Sequence, residues 1–157
     1  MTVVTQHLED RGIRFEVLPH AKANSAMGEA LTLGVDPDEV VKAIVLDTED
    51  GHALALVPAS MKVDLDLLRE ALGDRNVKLA TEDEISHDFP EFDLGAMPPL
   101  PSLLHVPVVI DPGVLSHRKI TFAAGTQRES IRTDSEGLFT GATVTITPIA
   151  RRWTQER

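Results

Sequence analysis

Val40-Val41-Lys42-Ala43-Ile44-Val45-Leu46 is apolar at every position except the lysine. Side chains alternate across a strand, so this run presents apolar residues to both faces and predicts a sheet covered on both sides. A second apolar run, His52 to Val57, follows the turn Glu49-Asp50-Gly51. Asp-Gly between two such runs predicts a hairpin. Upstream, Val3 to Arg11 reads as a helix closed by Gly12, and Arg14 to Leu18 as a strand ended by Pro19. Asn24 to Leu33 is helical in pattern, with Ser25 as N-cap and Gly34 as stop. Asp36-Pro37-Asp38-Glu39 adds a cap and a proline at a first helical position.

Downstream, Asp64 caps a predicted helix to Leu72, closed by Gly73, and Val77 to Ala80 reads as a strand. Thr81-Glu82-Asp83-Glu84 opens another helix by the capping-box pattern. Asp88 to Pro101 holds four prolines and one glycine and reads as a loop. Strands are expected at Val106 to Ile110, Lys119 to Ala123, Ser130 to Arg132 and Thr143 to Thr147, with a helical turn near Glu136 to Phe139. Alternating helices and strands give way to mostly strands, which points to a mixed sheet with helices packed on it.

The 157 residues fit one domain, with 42% hydrophobic and 25% charged residues near globular averages. There is no cysteine, so disulfides and thiolate metal sites are excluded, and a reducing compartment is consistent. No run approaches the ~20 apolar residues that span a bilayer. The first residues carry Glu9 and Asp10 rather than a basic segment and an apolar core, so a cytoplasmic location without membrane is expected. The net charge of −10 argues against a general nucleic-acid binder, DNA included, because phosphates are normally met by a basic face. It leaves room for contact with the tip of an RNA, where few phosphates lie.

Lys42 carries the most information. An ammonium inside an apolar strand is costly, so it either serves a site or snorkels to solvent from the strand start. Gly95-Ala96-Met97-Pro98-Pro99-Leu100 is either a stiff loop holding backbone N–H groups toward an anion or a proline-rich connector. Phe122-Ala123-Ala124-Gly125 runs a strand into a turn, and Asp111 ends an apolar strand as a binding group or a turn former.

These features, in this order, resemble the YbaK/ProX aminoacyl-tRNA deacylases. The likeness rests on Lys42 in its apolar run, the hairpin, Asp64 to Gly73, the Gly95-x-x-Pro98 loop, Asp111 and the Ala124-Gly125 turn. Leu18-Pro19-His20 and the segment from Asn24 to Ala30 are similar to that family's first hairpin and helix, so the likeness covers about residues 5–140. It implies an α/β fold, a mixed, mostly antiparallel β-sheet with flanking helices, in one domain over 1–157. It implies a trans-acting deacylase that hydrolyses the ester of a mischarged tRNA, with tRNA for proline carrying a small wrong amino acid among the expected substrates. Lys42 would be the key lysine, holding the acceptor end or the substrate, and Gly95 and Pro98 would line the reaction centre. Asp111, Gly125, Ala124, His20 and Ser25 would shape the substrate pocket. No cofactor or metal is implied, and a substrate hydroxyl would help activate water. The partners implied are the aminoacyl-tRNA acceptor end and, to supply further contact, an aminoacyl-tRNA synthetase.

One departure is Leu100, where many relatives have glycine. It motivates an alternative, a non-catalytic ligand-binding or regulatory domain on the same fold. No nucleophile elbow, phosphate loop, dinucleotide fingerprint or His-x-x-x-His pair is present. Two basic clusters, Lys62 with Arg69, Arg75 and Lys78, and His117 with Arg118 and Lys119, are either a rim for RNA or ordinary surface charge. The small residues Ala96, Ala123, Ala124 and Gly125 suit a small aminoacyl group.

Overall fold

The structure, a computed structural model, describes residues 2–140 and 143–153. The helices are α1 (Val3–Asp10), α2 (Ala26–Leu33), α3 (Leu65–Leu72), α4 (Glu82–Asp88) and α5 (Pro101–Leu104). The strands are β1 (Phe15–Pro19), β2 (Val41–Thr48), β3 (Gly51–Pro58), β4 (Met61–Val63) and β5 (Lys78–Leu79), followed by β6 (Val108–Ile110), β7 (Lys119–Ala123), β8 (Glu129–Asp134), β9 (Val144–Ile146) and β10 (Ala150–Arg152). Capping chemistry sets the helix ends. Ser25 accepts from the Gly28 N–H, Asp64 from Asp66 and Leu67, and Thr81 with Glu84 forms a reciprocal capping box. Gly34 and Gly73 close α2 and α3 at φ 69° and 62°, the left-handed region that favours glycine.

The main sheet has the order β5-β2-β3-β6-β9. β2 runs antiparallel to β3 and β5, while β3, β6 and β9 are parallel. A second, antiparallel sheet has the order β1-β8-β7, and β4 pairs with β10 as a two-stranded ribbon. The register puts Val41 and Val45 of β2, Leu54 and Leu56 of β3, and Val108 and Ile110 of β6 on one face. These pack with α1, the second sheet and the loop around Phe92 and Met97 in the larger core. The opposite face carries Leu46, Ala53, Ala55, Val57 and Val109, covered by Leu68 of α3, Val77 and Ile149. The apolar run from Val40 to Leu46 is thus covered on both sides, as its pattern requires.

Several elements differ from the sequence expectations. The segment after Asp36 is a single 3-10 turn, Pro37–Glu39, and Glu136 to Phe139 is a turn rather than helix. β6 begins at Val108 rather than Val106, because Pro107 has no N–H to give a ladder. Within the proline-rich stretch, Pro101 at a first helical position starts α5. β4, β10 and the 3-10 turn Pro112–Ser116 carry no sequence expectation at all. Among the described residues no helix is long and apolar enough to cross a membrane.

Candidate functional site

Two hollows, each about 400 Å³, meet at the edge of β2, and Lys42 borders both. The edge is open because β5 pairs with β2 only at Leu46 and Asp47. The first hollow lies on the larger-core face. It is lined by Ser25, Ala26 and Glu29 of α2, by Val41, Ala43 and Val45 of β2, and by Gly95, Met97 and Ala123. The second lies on the α3 face, among Ile44, Lys62, Asp64, Leu65, Arg151 and Trp153.

Strand alternation sends the Lys42 side chain to the α3 face, with Ile44 and Leu46. Its Nζ donates to the Met61 carbonyl of β4 at 2.7 Å and lies 5.6 Å from the centre of the Trp153 ring. Lys62 Nζ lies 5.2 Å from the same ring. Burial holds the Lys42 ammonium below the usual lysine range. The charge is therefore half-enclosed, and it serves the tryptophan side while the lysine stem borders the glycine-loop side.

Gly95 has φ 76°, and a Cβ built on it would lie 1.9 Å from the Asn24 carbonyl oxygen. Only glycine permits that approach, which presses the loop onto the start of α2 and closes one wall of the first hollow. Asp93 and Gln127 fasten the loop: Asp93 N–H donates to the Gly125 carbonyl, and Gln127 Nε2 to the Leu94 carbonyl.

At the inner end, Glu29 is 3% exposed. One carboxyl oxygen accepts from Ser130 Oγ, and Ser130 in turn is 2.8 Å from His20 Nε2. His20 Nδ1 donates to the Ala21 carbonyl at 2.7 Å. Burial drives the Glu29 pKa up to about 7, against a smaller downward pull from the Ser130 hydrogen bond.

Of the residues singled out from sequence, Lys42, Gly95 and Ser25 line the first hollow, and His20 reaches it through Ser130 and Glu29. Pro98 is buried beside the loop and is not in the lining. Ala124 belongs to the larger core, while its neighbour Ala123 lines the hollow. Gly125 sits at φ 87° against Phe92 and turns the chain behind the loop. Asp111 is elsewhere. Its Oδ1 accepts from Ile149 N–H and Ala150 N–H, and its Oδ2 from Gly113 N–H, so it ties β10 to the end of β6.

Leu100 is buried in the larger core at φ −120°, a conformation open to any residue. Glu29, Lys62, Arg151 and Trp153 were not expected at the site as a set. Glu29 had a signal, a charge between Ala26 and Ala30 on the apolar stripe of a helix. Arg118 and Lys119 are within ion-pair distance of Asp134, and Arg69 of Asp66. Among the described residues no group of three or more His, Asp or Glu side chains is placed to hold a metal.

Comparison with known proteins finds relatives of this chain. Part of the chain is 29% identical over 82 residues to a proline--tRNA ligase of Thermosipho melanesiensis, covering 52% of this chain and 14% of that enzyme. It is 33% identical over 57 residues to the Thermotoga neapolitana proline--tRNA ligase, covering 36% and 10%. The chain therefore spans only a small part of these relatives. A solved structure described as a candidate trans-editing enzyme for prolyl tRNA synthetase superposes with TM-score 0.77 at 27% identity, covering 95% of both chains. That of a hypothetical protein, APE2540, superposes with TM-score 0.82 at 22% identity, covering 95% of this chain and 99% of the other, which bears on the fold alone. Residues 20–140, from the His20 turn through the Gly95 loop to the turn after β8, match the aminoacyl-tRNA editing domain, and the chain belongs to that family.

Proposed function

We propose that this chain is a single editing domain acting in trans, which hydrolyses the ester between a small wrong amino acid and the terminal ribose of a tRNA. The observation that carries the reading is the pair of hollows joined at Lys42. One is small-sided and closed by a glycine loop, as an aminoacyl group requires. The other offers an exposed indole flanked by Lys42, Lys62 and Arg151, which suits a base and its phosphates. The scissile ester would then lie over the β2 edge. There the outward-facing backbone of Ala43 and the Lys42 ammonium are the polar groups at hand, since the described residues lining the first hollow include no histidine or cysteine to pair with Ser25. The attacking group is water, held by backbone and by the substrate's own ribose hydroxyl.

A tRNA for proline is the preferred acceptor in this reading, supported by the similarity to proline--tRNA ligases and to the candidate trans-editing structure. A synthetase that holds the body of the tRNA would compensate for the domain's net charge of −10. Leu100 gives no support to a ligand-binding domain without catalysis, because it packs in the core away from both hollows.

The test is multiple-turnover deacylation of tRNA for proline charged with alanine, serine or proline, with Lys42→Ala alongside. Turnover of a small wrong amino acid, lowered about tenfold or more in the variant, is expected for loss of a charge contact. Absence of turnover on every charged tRNA overturns the enzyme reading, and an unaffected variant overturns the role of Lys42.

A further inference from the structure

Glu29 is the one strongly buried carboxyl group in the lining of the first hollow, and one of its two oxygens is unengaged. Ser130 Oγ engages one carboxyl oxygen, and the other has no hydrogen-bond partner among the described residues. The remaining charged groups in the lining are Lys42 at the β2 edge and the carboxylates of Glu82 and Asp93. The Lys42 ammonium gives one of its three protons to the Met61 carbonyl, toward the α3 face. The hollow that would take the aminoacyl group is thus acidic, with an open acceptor at its inner end. His20, reached through Ser130, completes the groups that face Glu29.

A ligand that brings a donor to this oxygen gains a charge-assisted hydrogen bond in a partly desolvated site. Inorganic cations would remain hydrated there, with a single carboxylate and no metal-ligand cluster. An amino acid ester presents the matching group, because its α-nitrogen is a primary ammonium with three donors.

We propose that the free oxygen of Glu29 receives the α-ammonium of the aminoacyl group, so that Glu29 orients the ester and rejects N-blocked substrates. This deepens the deacylase reading and rests on it. Ser130 and His20 act as positioning residues, fixing one carboxyl oxygen so that the other points inward.

The experiment titrates the full chain with 3′-(alanylamino)-3′-deoxyadenosine, which cannot be hydrolysed as an ester, and with its N-acetyl derivative, by calorimetry. The free amine is expected to bind about tenfold or more tightly than the acetylated form, and Glu29→Gln should abolish that preference. Glu29→Asp, which keeps the charge but draws it back by one methylene, should give an intermediate preference and serves if the glutamine variant does not fold. Equal affinity of the two analogues for the unaltered protein, or an undiminished preference in the folded variants, overturns the ammonium site. Deacylation of aminoacyl-tRNA alongside equal affinities would sink this inference alone. A clear preference without turnover on any charged tRNA would sink the deacylase reading alone, and no binding by either analogue would sink the ammonium site.

Discussion

Glu29 should be visible in the folding equilibrium. Its carboxyl holds a proton up to about pH 7 in the folded protein and releases it near 4.5 when unfolded. Between those values the folded state binds more protons, so raising the pH favours the unfolded chain. Stability should fall by up to about 3 kcal/mol from pH 4.5 to 7, and Glu29→Gln should flatten that window. Urea melts across the range check this, and an identical slope in the variant would contradict it. Gly95 offers a second test at this scale. Gly95→Ala forces a left-handed residue, costing about 1–2 kcal/mol, and drives a methyl into the Asn24 carbonyl. It should lower both the denaturation midpoint and deacylation, whereas Leu100→Gly should lower stability through a lost core side chain without the same effect on specificity.

Among the elements, β10 deserves the most scrutiny, since it brings Arg151 to the second hollow and leads directly into Trp153. Asp111 holds it through the Ile149 and Ala150 N–H groups. Asp111→Ala leaves those donors unpaired, with an expected loss of about 1–3 kcal/mol, and should weaken substrate binding although the residue touches no ligand. Trp153→Ala should raise KM with little change in kcat, because a stacking contact is made equally in ground and transition states. Equal effects on kcat and KM would argue against a stacking role.

Local chemistry made much of this legible. Ser25, Gly34, Asp64, Gly73 and the Asp50-Gly51 turn each fix their element through neighbours a few residues away. The β4–β10 ribbon joins residues 61–63 to 150–152 and has no local signature, so neither strand was expected, nor Trp153 beside Lys42. The Lys42 run announced a strand covered on both faces, but not which face the ammonium would take. Asp111 read equally as ligand or turn former for the same reason, since its partners at 149 and 150 are distant in sequence.

For the molecule as a whole, a net charge of −10 restricts where an RNA can rest. Contact confined to the acceptor end predicts that a charged minihelix is deacylated within about threefold of the full tRNA, with a shallow salt dependence corresponding to a few phosphates. A steep loss of activity between low and physiological salt would mean a wider footprint.

The β2 edge also has a consequence for turnover. A substrate lying across it is a two-headed ligand, gripped weakly at each end and tightly only while the ends are joined. Cutting the ester removes the tether, so the freed amino acid and the RNA terminus each keep a single handhold. Bond cleavage itself then clears the domain, and free adenosine or free alanine should be feeble competitors.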